Sequence, residues 1–176
     1  LFLGAAVDPD PATGDKTLWT QQEYGDFVLR VEWRIKETPY LNANVPIIRY
    51  DGRHKKGPDG KEIKLSVPDS DSGIYLRGSS KSQVNIWCWP IGSGEMYGVR
   101  RDMNFPPEVR AAVTPRMNAD KPVGQWNRFE ITVQGENVTV ILNGEKVVSE
   151  AKIPRLPPRG PIELQKKNRK KGFDKK

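Results

Sequence analysis

The sequence of 176 residues predicts an all-β sandwich or jelly roll, and three observations carry that expectation. Apolar and polar residues alternate with a period of two in several short segments, and an extended chain sends successive side chains to opposite faces. Turn-forming residues separate those segments, since 16 Gly and 15 Pro punctuate the chain. No stretch sustains three turns of amphipathic helix, and no internal repeat is visible. Many short strands at turn-punctuated spacing are the pattern of a two-sheet sandwich.

Taken in order, residues 1–17 are rich in Pro, Gly and Asp, lack a period and read as a loop segment. Residues 20–24 lead into 27–36, where Phe27, Leu29, Val31, Trp33 and Ile35 share one face. Val28, Arg30, Glu32, Arg34 and Lys36 share the other. That is a half-buried strand; on a helix, apolar residues at every second position would fall on all sides. Residues 37–70 carry Pro39, Pro46, Pro58 and Pro68 and read as a long connection with a short strand at 45–50. Its hydrophilic part, 51–64, is expected as an exposed insertion of the kind that forms lids or rims.

Residues 71–97 hold two neighbouring strands. Residues 99–120 are Arg- and Pro-rich without a clear period. Residues 126–134 alternate again, with Phe129, Ile131 and Val133 inward, and Gly135-Glu136-Asn137 turns into a strand at 138–142. Asn143-Gly144 is a strong hairpin signal, returning through 145–148. A Pro-rich crossing at 154–161 leads to a last strand at 162–165. The expected organisation is one jelly-roll domain, 18–165, between the N-terminal loop segment 1–17 and a basic tail, 166–176.

The formal charge of +7 belongs to that tail: residues 166–176 hold seven Lys and Arg and one Asp, leaving the rest near neutrality. A solvated, disordered end is expected there rather than a specific nucleic-acid partner. Cys88 is the only cysteine, so no disulfide framework, Cys-rich zinc site or redox pair is available within the chain. It alternates with Val84 and Ile86 and is expected to be a buried, inert thiol. No apolar run approaches the roughly 20 residues of a membrane span, so no membrane partner is expected. No signal peptide is legible either, although Leu1-Phe2-Leu3 fits a trimmed remnant. These facts fix neither the compartment nor the oligomeric state.

The functional expectation rests on residues 71–97. In the first strand Ile74 and Leu76 alternate with Gly73, Tyr75 and Arg77. In the second, Val84, Ile86 and Cys88 alternate with Gln83, Asn85, Trp87 and Trp89. One face packs on a core, and the other displays Tyr75, Arg77, Gln83, Asn85, Trp87 and Trp89 together. Rings that stack on pyranose C–H faces, beside amides and a guanidinium that bond hydroxyls, are what a sugar-binding groove requires.

At this point the chain resembles the 3-keto-disaccharide hydrolase domain family, long known as a domain of unknown function. The resemblance runs through Leu18-Trp19-Thr20, Tyr24-Gly25-Asp26-Phe27, Asp71-Ser72-Gly73-Ile74-Tyr75-Leu76-Arg77 and Gln83-Val84-Asn85-Ile86. It continues through Gly94-Glu95-Met96-Tyr97-Gly98, Gly124-Gln125-Trp126-Asn127, Leu142-Asn143-Gly144 and Gly160-Pro161-Ile162-Glu163-Leu164-Gln165. It implies a concanavalin A-like jelly roll, a carbohydrate substrate on the concave sheet, and cleavage of glycosides oxidised to a ketone at sugar carbon 3. It also implies export, periplasmic or extracellular, from glycan-degrading bacteria.

The chain departs from the family pattern in three places. Asp71 stands where the family usually has Asn. Gln83, Asn85 and Trp87 stand where it often has Glu, Gln and sometimes Asp. Lys166-Lys167 follow Gln165 in place of histidine and a closing strand, so the jelly roll is expected to lack its last strand and to keep an unpaired edge.

An ordinary glycosidase needs two carboxylates, about 5–5.5 Å apart for retention or roughly 6.5–9.5 Å for inversion. The outward candidates are Glu32, Asp71, Glu95 and Glu130, and no spacing ties two of them together. A 3-keto sugar asks for less, because the ketone acidifies the proton on carbon 2. One base and an oxyanion stabiliser then suffice. Asp71 or Glu95 is cast as the base and Arg77 with Asn85 as donors. Trp87, Trp89 and Tyr97 are cast as stacking walls, and Tyr75, Gln83 and Glu32 complete the substrate-binding set.

Structural roles stand beside these. Asp71 fits a turn, Glu32 a salt-laced solvent face, Glu130 a cross-strand pair, and Arg77 a pair with Asp71. His54 stands alone amid Lys and Gly and is expected in solvent. No strong metal-ligand motif is present; a divalent cation on Asp69 and Asp71 is the one cofactor arrangement the residues suggest. The alternatives to an enzyme are a non-catalytic lectin-like module of the same fold and, more distantly, a partner-binding domain whose tail touches nucleic acid.

Overall fold

The period-two segments build two sheets that meet over one core. The computed structural model describes residues 18–38 and 40–165; the expected loop segment 1–17 and basic tail 166–176 lie outside the described residues. The strands are β1 (Leu18–Trp19), β2 (Phe27–Trp33), β3 (Tyr40–Pro46), β4 (Lys64–Asp69) and β5 (Asp71–Leu76). After β6 (Ser79–Trp87) come helices α1 (Tyr97–Arg101) and α2 (Pro107–Ala112), then β7 (Asn127–Gln134), β8 (Asn137–Leu142), β9 (Glu145–Lys152) and β10 (Glu163–Gln165).

One antiparallel sheet has the order β1-β10-β5-β6 and the other β2-β7-β8-β9. Ile74, Leu76, Val84 and Ile86 from the first meet Leu29, Phe129, Ile131, Val140 and Leu142 from the second in one buried cluster. Each such side chain contributes roughly 1.5–3 kcal/mol on leaving water. This is the all-β jelly-roll sandwich that the sequence predicts. The last strand among the described residues, β10, lies inside its sheet, between β1 and β5. Two hairpins turn on paired left-handed residues: Asn143-Gly144 as expected, and Arg77-Gly78, with φ of 51° and 68°.

Two segments differ from the sequence reading. Residues 37–70 are no plain connection, because β3 and β4 form a separate antiparallel ribbon. The insertion beyond it is laced by bridges between Ile48 and His54 and between Lys56 and Glu62. Residues 99–120 contain α1, which begins at Tyr97, and α2. Both helices are too short to show a hydrophobic period, and α2 is started by Pro107 at a first-turn position where a missing N–H costs nothing. Helix α1 lies close on β6, where Gly98 leaves no room for a side chain: a Cβ there would sit 2.7 Å from Lys81 Cα.

Candidate functional site

The polar faces of β5 and β6 open into a hollow of about 230 Å³ lined by Asp71, Gln83, Asn85, Trp87, Trp89, Tyr97 and Gln165. The register explains the grouping. Asp71 pairs with Trp87, Gly73 with Asn85 and Tyr75 with Gln83, so Asp71, Asn85, Trp87 and Gln83 all leave the same face. Gln165 joins from β10, opposite Gly73. Its side chain accepts a hydrogen bond from Gln83 Nε2 at 2.6 Å. Gly73 makes that bond possible, since a Cβ there would lie 2.3 Å from Gln83 Nε2.

Asn85 is nearly sealed, at 2% exposure, and its orientation is fixed from one side. Its Oδ1 accepts the backbone N–H groups of Glu95 at 2.9 Å and Gly94 at 3.2 Å. Its Nδ2 is left with no hydrogen-bond partner. The rings are equally constrained. Trp87 is buried, donates Nε1–H to Gly92 O at 2.6 Å and stacks on Trp89, with centroids 4.0 Å apart and planes 9° apart. Tyr97 meets Trp87 edge-on at 5.8 Å. Trp89 donates Nε1–H to Asp69 Oδ2 at 2.9 Å, and Asn42 Nδ2 donates to the same oxygen at 2.9 Å. Asp69 thus positions the half-buried Trp89 ring. Among the described residues no three His, Cys, Asp or Glu side chains form a group able to hold a metal ion.

The remaining sequence candidates lie elsewhere. Arg77 is not a groove residue: the strand ends at Leu76, and Arg77 occupies the hairpin turn with its side chain buried. Its guanidinium donates to Gly25 O (2.8 Å), Gly135 O (2.7 Å) and Pro157 O (2.9 Å) and pairs with Asp26, not Asp71, at 2.9 Å. Glu95 is not an open loop carboxylate. It is wholly buried and ion-paired to Arg100, whose guanidinium is also buried. Glu32 is exposed in the opposite sheet, beside Arg128. Tyr75 shares the strand face of Gln83 and is half-buried, but does not line the hollow. Glu130 takes the cross-strand role, paired to Arg30 at 2.7 Å.

His54 is half-buried rather than free in solvent, with Nδ1 2.8 Å from Glu62 and Nε2 3.1 Å from Arg100. Cys88 is half-buried rather than buried. Burial, then the charge of Asp69, pushes its thiol up to about 11, so it is uncharged at neutral pH.

Sequence reasoning did not assign two groups near the rings. Gln165 was visible only as part of a motif, and nothing in a three-residue strand marks it as facing Gln83. Asp120 lies at the end of the unperiodic segment and lines a second hollow, of about 280 Å³, with Trp33, Trp87, Cys88, Trp89 and Asn127. Its Oδ2 accepts the Ser93 N–H at 2.7 Å, its Oδ1 has no partner, and burial raises its pKa above the ordinary carboxylate value. Only a fold that returns residue 120 beside residue 93 reveals it.

An antiparallel sandwich with a groove of amides, stacked rings and one carboxylate defines a carbohydrate-related β-sandwich domain, and comparison with known families agrees. The chain belongs to the 3-keto-alpha-glucoside-1,2-lyase-like domain family, whose model matches residues 4–175. No curated protein matches the chain. Among solved structures it is similar to a candidate glycosyl hydrolase from Parabacteroides distasonis ATCC 8503, with 20% identity over 88% of this chain and 76% of that one and a TM-score of 0.47. A second candidate glycosyl hydrolase from the same organism shows 19% identity over 85% and 60%, with a TM-score of 0.49. The carbohydrate binding module CBM66 from Bacillus subtilis shows 10% identity over 85% and 72%, with a TM-score of 0.44.

Proposed function

We propose that this domain cleaves 3-keto-glycosides in the β5–β6 hollow, with Asp71 as the base. One observation carries the reading: a single carboxylate, three amide side chains and a Trp–Trp–Tyr wall converge on one concavity. The carboxylate of Asp71 takes the proton from carbon 2, which the neighbouring ketone acidifies, and the electron pair passes into an enolate. As the ketone re-forms, the pair becomes the carbon 1–carbon 2 double bond and the carbon 1–oxygen bond breaks. The departing oxygen takes a proton from water and leaves as an alcohol, and the hydroxide so formed takes back the proton held by Asp71. Addition of water across the double bond completes a net hydrolysis.

Asn85 Nδ2 is the donor aimed at the enolate oxygen, its amide held in place by the Gly94 and Glu95 N–H groups. Trp89 and Tyr97 supply the stacking surface, and Gln83 with Gln165 bonds hydroxyls. As part of this reading we take the domain to be exported, to the periplasm or beyond the cell, where glycans are met.

The test is incubation with a 3-keto-glucoside and with its unoxidised parent, with and without EDTA. Sugar release from the keto compound alone is expected. Asp71→Asn is expected to lower turnover by about 10²–10⁴. Asn85→Asp keeps the acceptor for the two N–H groups while removing the donor, and turnover is again expected to fall. Equal release from keto and parent compounds overturns keto activation. Sugar binding with release from neither makes the domain a lectin-like module instead.

A further inference from the structure

Next to the hollow, residues 49–62 and the two helices line a groove of about 860 Å³ with seven Lys and Arg side chains against one carboxylate, Glu62. The groove is closely built, since Gly52 packs so tightly on Arg110 O and Thr114 that a Cβ would lie 3.0 Å from each. Its negative charge is already committed. Glu95 pairs with Arg100 beneath it, Arg100 Nη1 donates to His54 Nε2, and His54 Nδ1 donates to Glu62.

The other six cations, Arg49, Arg53, Lys55, Lys56, Arg101 and Arg110, pair with no carboxylate among the described residues. The crowding is felt inside. Burial first, then the charges of Arg101 and Arg110, pushes the Arg100 guanidinium down to about 10. Like charges gathered on a partly desolvated wall repel one another, and a bound anion relieves them.

The groove shares a wall with the sugar hollow. Arg101 Nη1 donates to Tyr97 Oη, its guanidinium lies 5.2 Å from the Tyr97 ring centroid, and Tyr97 lines the hollow. Arginine forks match sulfate and carboxylate geometry. No Trp, Tyr or Phe lines the groove, so it offers nucleobases none of the stacking platforms that single strands use.

We infer that the carbohydrate ligand of this domain is an acidic glycan, with its sulfate or carboxylate groups in the basic groove and an adjacent sugar in the Trp89–Tyr97 hollow. The inference rests on the carbohydrate reading of that hollow but not on its catalysis, so it is tested by binding. The full chain is titrated with dextran, dextran sulfate, polygalacturonate and single-stranded DNA at matched charge and at two salt concentrations. Binding of an acidic polysaccharide over dextran is expected, and the two acidic arms separate sulfate from carboxylate.

The variant R53E/K55E/K56E changes exposed side chains and is expected to lose about tenfold or more in affinity. The control K36E/K146E/K152E makes the same change in net charge elsewhere on the surface and is expected to lose less. Circular dichroism is expected to show both variants folded. Trp89→Ala is expected to weaken the acidic glycan several-fold.

Equal losses in the two charge variants, or no loss in either, assign binding to overall charge or to residues 166–176 and overturn the inference. So do tighter binding of DNA, absence of binding, and indifference to Trp89→Ala. A chain that binds acidic polysaccharide in this way yet leaves 3-keto-glucosides intact loses only the catalytic reading.

Discussion

Asp120 makes stability depend on pH through one buried oxygen. Its Oδ2 holds the Ser93 N–H, while Oδ1 is sealed away without a donor. Burial therefore raises the folded-state pKa above the ordinary 3.8. A carboxyl whose pKa is raised by folding favours the native state most when it is protonated. Its contribution is fully present below the unfolded pKa and is lost as pH rises through the folded one. Asp120→Asn retains an acceptor for Ser93 and removes the charge. Thermal unfolding is expected to show a higher Tm for the variant at pH 7 and a difference that closes as pH falls below about 3.8. A variant less stable at pH 7 than the parent would show that the charged form is favoured by something other than the Ser93 contact.

At the scale of elements, the site depends on how closely three strands of one sheet lie. Gln83 leaves β6, crosses β5 above Gly73 and reaches Gln165 on β10. Gly73→Ala would set a methyl group 2.3 Å from Gln83 Nε2, so either the side chain swings away or the strands part. A loss of about 1–3 kcal/mol is expected in chemical denaturation. Weakened sugar binding should accompany it, and Gln83→Ala in the same chain should restore most of the stability. Unchanged stability in Gly73→Ala would mean that Gln83 does not hold β10 in place.

This also marks how far the sequence could be read. Period-two alternation found β2, β5, β6, β7 and β8, and with them the shared face of Gln83, Asn85 and Trp87. It could not find β3 and β4, whose half-exposed ribbon is broken by a bulge between Asn42 and Val45. Nor could it see that Arg77 ends the pattern, because a turn that requires left-handed backbone followed an apparently continuous strand. Glu95 looked open because its loop is Gly-rich. Its partner Arg100 is set one helical turn later, on a helix too short to announce itself.

For the molecule as a whole, the misread Arg77 has a larger part than a ligand donor would have. Its guanidinium gathers the carbonyl of Gly25, before β2, that of Gly135, in the β7–β8 turn, and that of Pro157, on the way to β10. The first two flank strands of one sheet, while Arg77 belongs to a hairpin of the other. One planar cation therefore ties the two sheets together at one edge of the sandwich. Asp26 is largely exposed, so its charge adds little through screening water, and the three carbonyls carry most of the effect.

Arg77→Ala would leave those oxygens without their donor and the backbone conformation at φ of 51° still to be adopted. A loss of about 3 kcal/mol or more is expected in denaturant unfolding. Arg77→Lys should recover only part of it, since an ammonium cannot span three carbonyls in the plane of a guanidinium. Refolded Arg77→Ala protein, held below its unfolding midpoint, should still bind sugar with the affinity of the parent. Loss of binding without loss of stability would return Arg77 to the site and undo its assignment as the clamp between the sheets.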